Sequence, residues 1–241
     1  MKFKREKQLL DKIKKFVDQR SSDQNVAVFD ADGTLWFEDT NQILLNYQLK
    51  RDREKFKELL TDDYQCLNRD KLCEEFAKKQ AGLSLSEFQE QAQASLKQSP
   101  LNIFPFQKKL LLYLKKQGMK IVIVTASIQY LVELAVKFYN LPIDQVLGFQ
   151  TKKDKNNKLS DIVLKPSPTL QSKEEVFLLH YKKKSCFLAA GNTLTDRPLL
   201  ELAQLAVVVH SAQETDVVFL AEQKLKELSL QKNWILFERI K

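Results

Sequence analysis

Residues 26–36 read VAVFDADGTLW, and the fold turns on them. Val26-Ala27-Val28-Phe29 is a short apolar run of the kind that fills a strand buried on both faces of a parallel sheet. It stops at two carboxylates, Asp30 and Asp32, and Gly33 permits an abrupt turn. Acidic residues at the end of such a strand mark the edge where open α/β sheets hold ligands. A two-residue extended spacing keeps both groups near one pocket. Aspartate is a competent nucleophile, and a second carboxyl beside it can protonate a leaving oxygen and later activate water. A calcium loop would need a Glu at its twelfth position, and counting from Asp30 that position is Asn41.

Moving outward, strands are expected at Ile121–Val124, Val146–Phe149, Cys186–Ala190 and Ala206–Val209. Helical periodicity covers about 107–117, 128–139 and 214–228, and an amphipathic helix with a basic face spans 3–20. Strands alternating with helices predict an α/β fold, a doubly wound and mostly parallel sheet covered on both faces. Residues 38–104 break the rhythm. They hold 12 acidic and 10 basic residues, a net −2, against 29 basic and 19 acidic, or +10, in the remainder. This reads as a helical cap domain inserted into a core domain of residues 1–37 and 105–241. The N-terminal helix is expected to pack on the core, with a membrane surface as its alternative. The tail 234–240, WILFERI, reads equally as an edge strand or a docking helix.

Composition narrows the function classes. The 241 residues are 44% apolar and 29% charged with only five Gly, which excludes collagen-like and largely disordered chains. No run approaches the roughly 18 apolar residues of a membrane span, and MKFKREKQLLDKIKKF lacks a signal-peptide core, so a cytoplasmic protein is expected. Cys66, Cys73 and Cys186 have neither disulfide-framework nor zinc spacing and read as ordinary thiols. The net charge of +8 favours solubility. Its runs, Lys115-Lys116, Lys152-Lys153 and Lys182-Lys183-Lys184, lack interleaved aromatics and read as solvated faces, so no nucleic-acid partner is expected. His180 and His210 carry no catalytic pattern.

Three further motifs join the carboxylate loop. Thr125-Ala126-Ser127 ends the strand IVIV, where a hydroxyl and backbone N–H groups can hold phosphate oxygens or cap a helix. Lys173, in LQSKEEVFLLHY, opens the helix that leads to Cys186–Ala190. Gly191-Asn192-Thr193-Leu194-Thr195-Asp196 follows the Cys186–Ala190 strand. With Asp30-Ala31-Asp32-Gly33-Thr34, a DxDGT loop, this set resembles the haloacid-dehalogenase superfamily of phosphohydrolases, in its phosphoserine-phosphatase-like branch. VFDADGTLW especially resembles phosphorylcholine-phosphatase-like members.

The resemblance implies a magnesium-dependent phosphomonoesterase acting through an aspartyl phosphate, with a small phosphorylated metabolite as partner. Asp30 would be the nucleophile and Asp32 the general acid/base. Thr125, the Ala126 N–H and Lys173 would hold the phosphoryl group, with Lys165 the competing lysine. The cation, Mg2+, would be held by Asp30, the Asp32 carbonyl, Asn192 and Asp196. The family usually has Asp where this chain has Asn192. An amide oxygen brings no charge, which predicts weak magnesium binding until substrate phosphate adds an anion, and tighter binding in an Asn192→Asp variant provided the local amide hydrogen bonds are not essential. Asp39, nine positions after Asp30, and the rings of Trp36 and Phe37 are the candidates for a cationic head group, phosphocholine or phosphoserine among them. The alternatives are a phosphotransferase to a small alcohol and a catalytically weak binding or regulatory protein.

Overall fold

The structure is a computed structural model, and it describes residues 2–21, 25–60, 69–168, 173–182 and 185–238. In chain order its strands are β1 (Val26–Phe29), β2 (Lys120–Ile128), β3 (Gln145–Phe149), β4 (Thr151–Lys153), β5 (Leu159–Val163), β6 (Cys186–Gly191), β7 (Ala203–His210) and β8 (Ile235–Glu238). Six of them form one sheet in the order β3-β2-β1-β6-β7-β8, and every neighbouring pair in it is parallel. The chain leaves β1 for β2 on one side and later returns to β6 on the other. The topological switch point therefore falls at β1, where ligands of open α/β sheets bind.

Burial follows the period of the strand. Ala27 and Phe29 join Ile121, Ile123, Leu188 and Ala190 on one face, under the helices Pro105–Lys116 and Gln129–Phe138. Val26 and Val28 join Val122, Val124 and Ala189 on the other, under Lys173–Tyr181, Arg197–Leu202 and Phe219–Gln231. Each such side chain is worth about 1.5–3 kcal/mol when fully buried. A one-residue slip of β1 would exchange its faces and move Asp30, so the core fixes the site's register.

The N-terminal helix, Lys2–Asp18, buries Ile13 and Val17 in the first of these clusters. Leu9 and Leu10 pack against the same cluster, while Phe16 is exposed. The ambiguous tail is the edge strand β8, paired with β7 through Ile235–Glu238, while residues 239 and 240 lie outside the described set. The final long helix is Phe219–Gln231 rather than 214–228.

The insertion carries the helices Thr40–Leu49, Arg53–Phe56, Arg69–Lys78 and Leu85–Gln98, with a 3-10 turn at Lys57–Leu60. Leu85–Gln98 begins with a reciprocal cap, Ser84 Oγ accepting from Glu87 N and the Glu87 carboxylate accepting from Ser84 N. Leu44, Phe56, Phe76, Phe88 and Ala92 build a third cluster, which reaches Ile128 and Phe149 of the sheet and Leu131 of the helix Gln129–Phe138. A hairpin, β4–β5, leaves the end of β3 and meets these helices, where Gly82 N donates to Leu159 O at 2.8 Å. The sequence expectations did not include this hairpin.

Lys115, Lys116, Lys152, Lys153 and Lys182 are exposed, as expected of solvated runs, and Lys183 and Lys184 lie outside the described residues. Cys73 and Cys186 are free thiols, and burial pushes Cys186 up to about 12; Cys66 lies outside the described residues. Among the described residues no helix is long and apolar enough to cross a membrane.

Candidate active site

β1, β2 and β6 are adjacent and parallel, so the loops after them open on the same edge of the sheet. Asp30 N donates to Ala190 O at 2.9 Å, which ties the start of the carboxylate loop to the end of β6. Lys173, at the start of the helix Lys173–Tyr181, reaches into this edge. Its Nζ donates to Asp30 Oδ1 at 2.7 Å and to Asp196 Oδ1 at 2.6 Å. The lysine is only 2% exposed. The competing Lys165 is turned elsewhere, donating to Glu74 Oε2 at 2.8 Å and Ser167 Oγ at 3.0 Å.

Charge in this cleft is unbalanced. Two buried carboxylates share one ammonium. Burial, then the charge of Asp196, pushes Asp30 up to about 7, against the opposing pull of Lys173. Burial also works against the Lys173 charge, but Asp196 and Asp30 outweigh it and hold the lysine above its ordinary value.

Asp196 also organises the loop that bears it. Its Oδ2 accepts from Asn192 N at 3.0 Å and Thr193 N at 3.1 Å. Gly191 is required for that approach, since a Cβ there would lie 2.3 Å from the Asp196 Cβ. The Asn192 side chain is held at both ends. Its Nδ2 donates to Glu222 Oε1 at 2.8 Å, and its Oδ1 accepts from Thr34 Oγ1 at 3.3 Å. Gly33 lies against the same amide, with φ +75 and a hypothetical Cβ 2.0 Å from Nδ2.

Asp32 sits at the junction of the carboxylate loop, the first inserted helix and β2. Its Oδ1 accepts from Trp36 Nε1 at 2.7 Å and Thr40 N at 3.2 Å. Its Oδ2 accepts from Thr40 Oγ1 at 3.1 Å and Ser127 Oγ at 2.5 Å. Burial, followed by the charge of Asp39, raises Asp32 to about 6, while the Ser127, Trp36 and Thr40 donors hold it down.

The register of β2 against β3 shifts between Val124 and Ile128, which sets Thr125-Ala126-Ser127 apart from the regular ladder. Thr125 is buried, and its Oγ1 accepts from Ser127 N at 3.1 Å. Asp39 is the N-cap of Thr40–Leu49, accepting from Gln42 N at 3.0 Å. Trp36 is fully buried in the first core cluster, with its indole N–H committed to Asp32, and Phe37 packs against that cluster. His180 Nδ1 lies 3.0 Å from Val176 O, and the His210 ring meets Phe219 edge-on. The sequence reading missed Thr40 and Glu222 as partners of the site, while Thr34 stood in the carboxylate loop. Ser127 stood in a quoted motif, but Glu222 is separated from Asn192 by 30 residues and has no local signature.

The residues present suit a small divalent cation. The Asp30 carboxylate, the Asp32 backbone carbonyl and Asn192 Oδ1 are hard oxygen donors, and the cleft carries excess negative charge. Among the described residues no group of three or more His, Cys, Asp or Glu forms a metal cluster. A donor set that includes an amide and a backbone carbonyl is not of that type.

The family model of haloacid dehalogenase-like hydrolases matches residues 27–201. No curated protein matches the chain. Among solved structures, a protein of unknown function from Bordetella pertussis Tohama I is similar, with TM-score 0.72 and 12% identity over 88% of this chain and 97% of that one. A phosphoserine phosphohydrolase-like protein from Francisella tularensis subsp. tularensis SCHU S4 has TM-score 0.61 and 16% identity, over 88% and 94%. A substrate-bound phosphoserine phosphatase has TM-score 0.55 and 14% identity, over 88% and 99%. At these identities the likeness is one of fold.

Proposed function

The chain belongs to the haloacid dehalogenase-like hydrolases, and from that premise we propose that it hydrolyses a small phosphomonoester through an aspartyl phosphate on Asp30. The observation that carries this reading is the Lys173 ammonium bridging Asp30 and Asp196 at the C-terminal edge of neighbouring strands. Such a cation steadies the attacking carboxylate and offsets charge on phosphoryl oxygens.

In the first step an Asp30 oxygen attacks phosphorus. Protonated Asp32 gives its proton to the leaving alcohol oxygen as the P–O bond breaks. In the second step Asp32, now a carboxylate, takes a proton from water as the water attacks the aspartyl phosphate. Inorganic phosphate leaves, and both aspartates return to their starting states. A group poised near 6 serves both turns at neutral pH. Thr125, the Ala126 N–H and Lys173 bind the phosphoryl oxygens. A Mg2+ ion held by Asp30, the Asp32 carbonyl and Asn192, with Asp196 beside them, would supply further neutralisation of phosphoryl charge.

We assign residues 38–104 as the cap and residues 1–37 and 105–241 as the core. The cap would exclude bulk water and select the leaving group. Asp39, on the first cap helix, is the anionic side chain for a cationic head group, with phosphocholine and phosphoserine the candidate substrates. Trp36 acts instead through its hydrogen bond to Asp32. The test is phosphate release from phosphoserine, phosphocholine, phosphoethanolamine and other small monoesters, with magnesium and with chelator. Release that needs magnesium and is abolished by chelator is expected; no release from any of them contradicts the reading.

A further inference from the structure

Glu222 is fully buried beneath the acidic loop, on the helix Phe219–Gln231, and nothing in the chemistry above uses it. Its two oxygens are both engaged. Oε2 accepts from Ser211 N at 2.7 Å and Ala212 N at 2.8 Å, in the loop after β7. Oε1 accepts from Asn192 Nδ2 at 2.8 Å. We propose that Glu222 is a positioning residue that decides which end of the Asn192 amide faces the cation. The proposal rests on the phosphatase reading, because it concerns the ligand that Asn192 offers to magnesium.

The argument is one of donors and acceptors. A carboxylate only accepts, so the amide must turn its NH2 toward Glu222 and its oxygen toward the carboxylate loop, where Thr34 Oγ1 already meets it. Without that constraint a primary amide could present either end, and an NH2 toward a cation would repel it. Gly33 lies close against the same amide, so the shape of this corner admits either end and the hydrogen-bond partners choose between them. The chain therefore keeps a negative charge near this corner, but one hydrogen bond behind the ligand rather than on it. Partners of this kind, behind a metal ligand, commonly alter metal affinity 10–100-fold.

By this reading the amide hydrogen bond to Glu222 sets what Asn192→Asp can gain. The introduced carboxylate would face Glu222 across a contact that is now a 2.8 Å hydrogen bond between buried groups. Two anions cannot share that contact, so charge gained on the ligand is lost to repulsion. The reciprocal change restores order. In E222Q the amide oxygen is claimed by the two N–H groups of 211 and 212, and its NH2 faces position 192. Asn192 must then flip and aim its own NH2 at the cation. In N192D/E222Q the same NH2 donates to the introduced carboxylate, and every buried group is again paired.

The test is a double-mutant cycle on the whole chain. Magnesium ion alone is titrated by calorimetry, and thermal unfolding is followed in chelator. E222Q is expected to bind magnesium at least tenfold more weakly than wild type, and N192D/E222Q at least tenfold more tightly than E222Q. In chelator, N192D should melt below both wild type and the double variant. Should E222Q fail to fold, that comparison of melting temperatures decides. Equal magnesium affinity across all the proteins, or no rescue of either variant by the other substitution, overturns the proposal alone. Failure of all the proteins to bind magnesium even with inorganic phosphate added overturns both the proposal and the phosphatase reading.

Discussion

Replacing Lys173 by Met removes the ammonium between Asp30 and Asp196 while keeping a side chain of similar length. The magnitude follows from the two contacts, 2.7 Å to Asp30 and 2.6 Å to Asp196. At an effective dielectric constant of about 20 each attraction is about 6 kcal/mol. Desolvation of the buried ammonium offsets much of this, and breaking a buried pair typically costs about 3–5 kcal/mol net. That is the loss expected in metal-free protein near pH 8, read from urea unfolding in chelator.

The pH dependence gives a sharper test. Asp30 in the folded wild type sits at about 7, above its ordinary 3.8. For an acid raised in this way, the stabilisation is complete at low pH and is lost as pH rises toward the folded value. Removing Lys173 takes away a lowering influence and pushes Asp30 higher still. Above pH 7 the wild type has no more of this stabilisation to lose, but the variant does. The stability gap should widen between pH 7 and pH 9, by up to about 1.4 kcal/mol per unit. A loss under about 1 kcal/mol, or a gap that narrows as pH rises, would refute the reasoning.

Other perturbations address neighbouring parts of the site. Gly33→Ala forces a left-handed φ of +75 on a residue with a Cβ and sets that Cβ 2.0 Å from Asn192 Nδ2, so a loss of at least about 2 kcal/mol is expected by thermal unfolding; wild-type stability would contradict it. Ser127→Ala removes one of the donors that hold Asp32 down. A hydrogen bond to a charged group contributes about 1.5 kcal/mol or more, so the basic limb of the kcat profile should move up by about one pH unit, and a limb that stays fixed or moves to lower pH would reject Asp32 as the acid. Trp36→Phe deletes the indole donor but keeps an aromatic ring in the core, and the same limb should again move upward, with a loss of stability that chemical denaturation would register.

What could be read in the sequence was what burial writes into it. VAVF, IVIV and the run at 186–190 are apolar throughout because both sheet faces are covered, and each ends in a residue of the site. The carboxylate loop was therefore legible by type and place, whereas Lys173, one of 39 basic residues, was implied only by the family resemblance. The β4–β5 hairpin was not, because TKKDKNNKLSDIV buries only Thr151 and Leu159 and its Asn156-Asn157 turn reads as an exposed loop. WILFERI suits a strand or a helix, and only its partner β7 decides. Trp36 stood among the candidates for a cationic head group because an aromatic beside a motif has no sign for its depth. Glu222 was hidden for a different reason: in a helix rich in charged residues, only the fold reveals which one points inward.

The central claim is covalent chemistry at Asp30, and intact-mass analysis after rapid acid quench tests it most directly. The protein would be mixed with magnesium and whichever small monoester supports phosphate release. The account predicts an adduct of one phosphoryl group on the wild type and neither adduct nor turnover in a folded Asp30→Asn variant, whose amide removes the attacking anion at nearly constant volume. Phosphate release by Asp30→Asn at the wild-type rate would contradict it.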